Sequence, residues 1–455
     1  MKRLTVLIAI LLVVFGLNRT TAQVTDSILI QPDVPQYGKP FKKVPDRRDV
    51  SIYQVNIRSF SANGDFKGVI ARLDSIKALG VNVVYLLPIY PVGVLKASGS
   101  PYCVQNYRAI NKDFGSLDDL RALIDGAHKR GMAVMLDWVA NHTSYDNPWT
   151  KNKSWYLQDS VGNIISPPKF HWPDVAQLNF KNADMRMAMI KSMKYWVLTA
   201  NVDGFRCDYA DGPPADFWVQ AIDSLRNIKG HKLLMLAEGN RKDLFPDGFD
   251  YNFGFEFYGN LKRVYRRGKS VLSIDTINKL EYQYAVDGQQ MVRYTTNHDV
   301  NSSDGTPLQL FGGQTGSMAA FVVIAYMKSV PFIYGGQEVG LTTRLLFPFT
   351  KSKIDWTPNP QLTNEYKNII AFRNNSAAIR RGELTSFSTA DVCAFTKQLG
   401  NKKVLVVSNL RDKAVSFPVP ATLVGAKWKN VFVPGKTVLG NTIQLQPYQY
   451  LVFKN

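Results

Sequence analysis

A chain of 455 residues is long enough to bury a large core and too long for one small domain. Its 45% hydrophobic and 20% charged residues exclude a disordered or fibrous protein. The net charge of +19 invites a nucleic-acid reading, but the basic residues are scattered in short clusters such as Lys42-Lys43 and Arg266-Arg267, which fits a solvated basic surface and no nucleic-acid partner.

The first residues predict a secretory signal peptide over 1–22. Lys2 and Arg3 precede an apolar run from Leu4 to Leu17, and Thr20-Thr21-Ala22 offers small residues for cleavage before Gln23. The run is short of a bilayer span, and no later segment is apolar enough for one, so no membrane span is expected. The protein is therefore expected outside the cytoplasm, secreted or periplasmic. Cys103, Cys207 and Cys393 are too few, and odd in number, for a disulfide framework, and they read as free, mostly buried thiols.

From residue 49 the chain alternates apolar strands with helical patterns. Strands are expected over 49–60, 81–89, 133–139, 203–208, 233–238, 251–257, 291–299 and 330–338. Helices are expected over 66–79, near 184–200, 215–228, 257–284 and 313–328, and near 362–381. Ser116 and Asp119 form a capping box that starts another helix. Eight such strands imply an α/β fold, a closed (β/α)8 TIM barrel with strands buried on both faces. The stretch 143–182 is rich in Trp, Pro, Asn and Lys and breaks the rhythm, so it reads as a short inserted domain after strand 3. Short strands over 392–396, 404–408, 415–417, 431–433 and 449–453 read as a C-terminal all-β domain, a sandwich, over 382–455. The barrel then occupies 23–142 and 183–381.

Chemistry in such barrels sits at the C-terminal ends of the strands. Asp137, Asp208, Glu238 and Asp299 occupy those ends. Like charges gathered there need a reason beyond structure. Arg206, two residues before Asp208, leaves the strand on the same face and would hold Asp208 ionised. An ionised Asp208 suits a nucleophile and Glu238 on the next strand suits a proton donor, the two roles that glycoside hydrolysis requires.

DWVANHT (137–143), DGFRCDYAD (203–211), LAEGN (236–240) and TTNHDVN (295–301) resemble the four signature regions of the α-amylase family, glycoside hydrolase family 13. VAQLNF (175–180) and PFIYGGQEVG (331–340) resemble its fifth and last-strand regions, in the same order. The resemblance implies that Asp208 is the nucleophile, Glu238 the general acid/base and Asp299 the transition-state stabiliser. It implies that Asp137 supports the site, that Arg206 orients the nucleophile, and that His142, His298 and Tyr102 bind the sugar before the cleaved bond. Asn141 resembles the family's calcium ligand, which would make calcium structural, since the chemistry needs no cofactor. Capping the loop after its strand is an equal alternative for Asn141.

Two departures stand out. Asp211 and Gly212 occupy the positions of a common Lys-His pair, and Asn106 stands where an Asp often does. The implied partner is an α-glucan or malto-oligosaccharide, cleaved with retention of configuration. A cyclomaltodextrinase, α-glucosidase or transglycosylase activity remains open, as does an inactive sugar-binding relative, although such relatives usually lose one of the three carboxylates.

Overall fold

The computed structural model describes residues 33–286 and 288–455. The signal-like segment 1–22 and its cleavage point lie outside the described residues. A closed barrel of eight parallel strands organises the rest. Its first strands are β1 (Ile52–Val55), β2 (Val83–Leu86) and β3 (Ala133–Val139). A two-stranded excursion follows, β4 (His142–Ser144) with β5 (Val175–Gln177), paired antiparallel from His142–Gln177 to Ser144–Val175. The barrel resumes with β6 (Gly204–Asp208), β7 (Leu234–Ala237), β8 (Tyr251–Phe253), β9 (Gln290–Arg293) and β10 (Val330–Tyr334), which closes on β1. All seven residues of β3 are buried, as a strand wedged between a side-chain-filled lumen and outer helices must be. The rings of Tyr85, Phe253 and Phe332, from three strands, and of Tyr294, just past β9, meet inside.

The helix Leu117–Lys129 starts at the expected capping box: Ser116 Oγ accepts from Asp119 N at 3.1 Å, and Asp119 Oδ2 accepts from Ser116 N at 2.8 Å. Elsewhere the periodic stretches are cut shorter than their apolar pattern suggests. The stretch 66–79 is two helices, Phe66–Ile70 and Leu73–Ala78, broken where Arg72 leaves helical geometry and its guanidinium lies 3.6 Å over the Trp356 ring. The stretch 257–284 is also two, Phe255–Arg267 and Leu272–Glu281, because Gly268 turns left-handed (φ 63°) and ends the first. The segment 49–60 is a strand only over Ile52–Val55, followed by the one-turn helix Ile57–Phe60. The expected strand 291–299 stops at Arg293; Asn297 then accepts from the amides of Asp299 (3.0 Å) and Val300 (2.9 Å) and caps a helix, His298–Ser303. Asp299 therefore sits at a helix start rather than a strand end.

Beyond the last helices the chain forms β11 (Glu383–Ser386), β12 (Val392–Leu399), β13 (Lys402–Asn409), β14 (Val415–Pro418), β15 (Lys427–Asn430), β16 (Lys436–Val438), β17 (Thr442–Leu445) and β18 (Tyr450–Lys454). Six of these pair in the order β11-β12-β13-β18-β15-β16, and β14 pairs with β17. The expected strand 431–433 is instead a turn, in which Asn430 Oδ1 accepts from Phe432 N and Val433 N, and the strand lies just before it. Alternation along β12 sends Val392 and Ala394 into a core shared with Phe417 and Leu445 of the small sheet, and Cys393 and Phe395 into the main core with the barrel. The three cysteines are free and buried, as the sequence suggests.

Candidate active site

Three strand ends converge on Arg206. Its side chain is 1% exposed, and its Nη1 donates to Asp137 Oδ1 at 2.7 Å and to Asp208 Oδ1 at 2.9 Å. Its Nη2 donates to Glu238 Oε1, whose other oxygen accepts from Tyr209 N at 2.9 Å. Arg206 and Asp208 share a face because they stand two apart on β6, and Glu238 follows directly on β7, the next strand. Arg206 therefore meets Asp208 and two further acids: one cation is divided among three carboxyl groups. Burial pushes the Asp208 carboxyl well above the usual range. Arg206 pulls it down, and the charges of Glu238, Asp137 and Asp299 push it further up. Burial also raises Asp137, against the pull of Arg206.

A second chain of hydrogen bonds fixes His298. Gln54 Oε1 accepts from His298 N at 3.1 Å, so the other end of the Gln54 amide donates to His298 Nδ1 at 2.9 Å. The ring proton is therefore on Nε2, which donates to Tyr102 Oη at 2.6 Å, and the Tyr102 hydroxyl donates to Asp137 Oδ2 at 3.1 Å. The hydroxyl of Tyr85 donates to the same Asp137 oxygen at 2.5 Å. Burial lowers both His142 and His298 to about 4, so both rings are neutral near pH 7.

These groups line one cleft of about 400 Å³ that contains Tyr102, His142, Asp208, Glu238, His298 and Asp299. Asp299 reaches in from its helix start with 53% of its side chain open to solvent. The cleft also holds residues that composition alone did not single out. Trp172 stacks on Phe170 with centroids 4.4 Å apart and 11° between planes, and Tyr209 meets both edge-on. Tyr209 is held at φ 39° immediately after Asp208. Phe347 also lines the cleft. The Trp- and Pro-rich composition of 143–182 was the one available signal for the aromatic wall.

The departures have structural reasons. Asp211 accepts from Asn240 N at 2.8 Å and Arg241 N at 3.0 Å, tying the loop after β7 to the loop after β6. A Cβ on Gly212 would lie 2.2 Å from Asn141 Oδ1, so a larger residue is excluded there. Asn106 is exposed and accepts from Arg108 N at 2.9 Å. Asn141 does not fit a calcium ligand. Its amide is paired reciprocally with that of Gln177, at 3.1 Å in both directions, and its backbone oxygen accepts from Gln177 Nε2 and Leu178 N. Among the described residues no group of three or more His, Cys, Asp or Glu is placed to hold a metal, whereas calcium takes six to eight oxygens, typically with carboxylates. Asn141 instead ties the loop after β3 to β5.

Comparison with known proteins settles the family. The α-amylase catalytic-domain model matches residues 35–163, and the model of the α-amylase SusG C-terminal domain matches residues 392–452. The protein named "Probable oligo-1,6-glucosidase 2" of Bacillus subtilis is 33% identical over 385 residues, covering 67% of this chain and 67% of that protein. The chain belongs to the α-amylase family. Its membership makes it a glycoside hydrolase of family 13. Within the family, α-amylase 2 of Dictyoglomus thermophilum is 25% identical over 429 residues, covering 87% of this chain and 71% of that enzyme. The crystal structure of an α-amylase from Lactobacillus plantarum aligns with a TM-score of 0.80 at 25% identity, over 90% of this chain and 99% of that one. A maltogenic α-amylase from Thermotoga neapolitana also gives 0.80 at 24% identity, a likeness of fold.

Proposed function

We propose that this chain hydrolyses α-glucosidic bonds of starch-like α-glucans or malto-oligosaccharides with retention of configuration. The observation that carries the reading is the sharing of Arg206 by Asp208 and Glu238. Two carboxyls on one guanidinium favour the short separation of about 5–5.5 Å that leaves no room for an attacking water. Asp208 attacks the anomeric carbon as a carboxylate. Glu238 gives its proton to the leaving oxygen as that bond breaks, and a glycosyl ester forms on Asp208. Glu238 then takes a proton from water, which hydrolyses the ester. Asp299, open to the cleft, binds sugar hydroxyls and answers positive charge at the oxocarbenium-like transition state. The neutral His142 and His298, with Tyr102, hold the sugar before the cleaved bond.

Two experiments test this. Rapid NMR of the first product should show the α-anomer, and a β-anomer would refute retention. Glu238→Gln should stop starch cleavage yet still form the intermediate from an activated aryl glycoside, with turnover restored by azide, which needs no general base. Equal loss on both substrates without rescue would move the acid/base role elsewhere.

Trp172 and Tyr209 line the cleft with the nucleophile, and Phe170 stacks on Trp172, an aromatic wall that supports short or cyclic substrates as a second reading. Relatives named cyclomaltodextrinase are in keeping with it. Product analysis on starch, pullulan, cyclodextrin and maltotriose decides between the two. Export also belongs to this proposal: the charged start, the apolar run 4–17 and the small residues before Gln23 support it. N-terminal sequencing of secreted material should begin near Gln23.

A further inference from the structure

The segments that carry Asp208 and Glu238 stay joined after the β6–β7 ladder ends. Glu238 N donates to Cys207 O at 3.0 Å, and Ala210 N donates to Glu238 O at 2.8 Å. Tyr209 N donates to the Glu238 carboxylate itself. Beyond these the direction reverses, and Asp211 accepts from the loop after β7. Asn240 N lies 3.0 Å from Asp211 Oδ1 and 2.8 Å from Oδ2, and Arg241 N lies 3.0 Å from Oδ1. The segment 207–211 therefore grips the main chain at Glu238 and again two and three residues after it. Bonds from amides to a carboxylate are the stronger, charge-assisted kind.

Gly239 makes the grip possible. A Cβ there would stand 2.3 Å from Asp211 Oδ1, so any side chain would push the carboxylate off the two amides. Asp211 is not among the residues that line the cleft, so it acts through Glu238 and not on the sugar. What it can affect is aim. A proton passes only between atoms at hydrogen-bond distance, and a misplacement of about 1 Å costs about a hundredfold in rate.

We propose that Asp211 is a positioning residue for Glu238: by holding the amides of Asn240 and Arg241 it keeps the Glu238 carboxyl aimed at the leaving oxygen. The proposal rests on the reading of Glu238 as the acid/base.

The test compares two substrates. Maltotriose has a poor leaving group and needs the proton, whereas the first step on an activated aryl maltoside needs little of it. Asp211→Ala should lower kcat on maltotriose by about a hundredfold with KM nearly unchanged. The burst of aryl release from the activated substrate should slow by less than about threefold. Gly239→Ala, which displaces the carboxylate from the other side, should show the same split and carries the comparison if Asp211→Ala fails to fold. Asp211→Asn keeps one carbonyl oxygen within reach of both amides and should recover most of the loss. Equal losses on both substrates in Asp211→Ala and Gly239→Ala, or an Asp211→Asn protein as impaired as Asp211→Ala, would overturn the positioning role. Glu238→Gln in the same assay separates the two readings. A split there that is missing from Asp211→Ala and Gly239→Ala overturns the positioning role alone, and no split in Glu238→Gln overturns the acid/base assignment and the proposal with it.

Discussion

Arg206 sets the electrostatics at the scale of single residues. It is buried with Asp137, Asp208 and Glu238 around it, so the site is short of positive charge. The folded-state pKa of Asp208 lies above its unfolded value. Its contribution to stability is then present at low pH and lost as pH rises through the folded value. Above that value the ionised Asp208 is a cost carried for function. Asp208→Asn should lose at least about a thousandfold in turnover and yet gain on the order of 1 kcal/mol in stability, seen as a higher Tm at pH 7. An unchanged or lower Tm would contradict the burial argument.

His142 and His298 have the opposite sign. Each titrates near 4 folded against 6.5 free, so the unfolded chain takes up protons between those values while the folded chain does not. Stability should fall as pH drops from 6.5 toward 4, by up to about 1.4 kcal/mol per pH unit for each ring. NMR titration of the ring protons should give midpoints near 4, and midpoints near 6.5 would show the rings to be solvated. Asp137, Asp208 and Glu238 were legible in the sequence because strand period and barrel geometry place them, whereas Asp299 sits at a helix start. Tyr85, the partner of Asp137, and Gln54, the partner of His298, were not legible, because hydrogen bonds across 52 and 244 residues of chain leave no local pattern.

At the scale of elements, the eight strands and most helices were legible from apolar period, and the errors fell where a side chain or glycine ends an element early. Asn297 is the instructive case. An apolar run continuing through Tyr294 extends the strand on paper, but the Asn297 side chain captures two amides and starts a helix. Asn297→Ala should cost about 1 kcal/mol in stability and also lower kcat, because the cap aims Asp299. Gly268→Ala should cost about 1 kcal/mol too, since φ 63° strains an L-residue although nothing lies within 4 Å of the added Cβ. Its kcat should be unchanged. Thermal denaturation and steady-state kinetics on the two variants separate a cap that positions chemistry from one that only ends a helix. Phe170 and Trp172 stayed illegible because their segment has no period: which ring faces the cleft is decided by the path of the excursion.

At the scale of the whole molecule, the C-terminal sheet shares the main core with the barrel. Cys393, Phe395, Val404, Val406 and Val452 belong to the main core, and Ser408 Oγ donates to Ala319 O at 3.1 Å. The change from helices to short strands near 382 was readable from composition, but the shared core was not, since alternation gives two faces without saying what each one meets. Calorimetry should show one cooperative unfolding transition. A chain ending at residue 381 should aggregate, because it would lay bare the apolar face that β12 and β13 cover. Two resolved transitions, or a soluble active fragment, would show the sheet to be an independent unit.

The excursion between β4 and β5 carries Phe170 and Trp172, while Asp208, Glu238 and Asp299 stand on segments it does not include. It leaves the barrel at His142 and returns at Gln177, two residues paired in one ladder. The share of the cleft wall that this segment supplies is thus a cartridge with both ends clamped side by side. An exchange of 145–174 for a loop of different length would meet the same two attachment points and leave the reacting groups where they are. Substrate range in this molecule can therefore drift without the chemistry having to be reinvented.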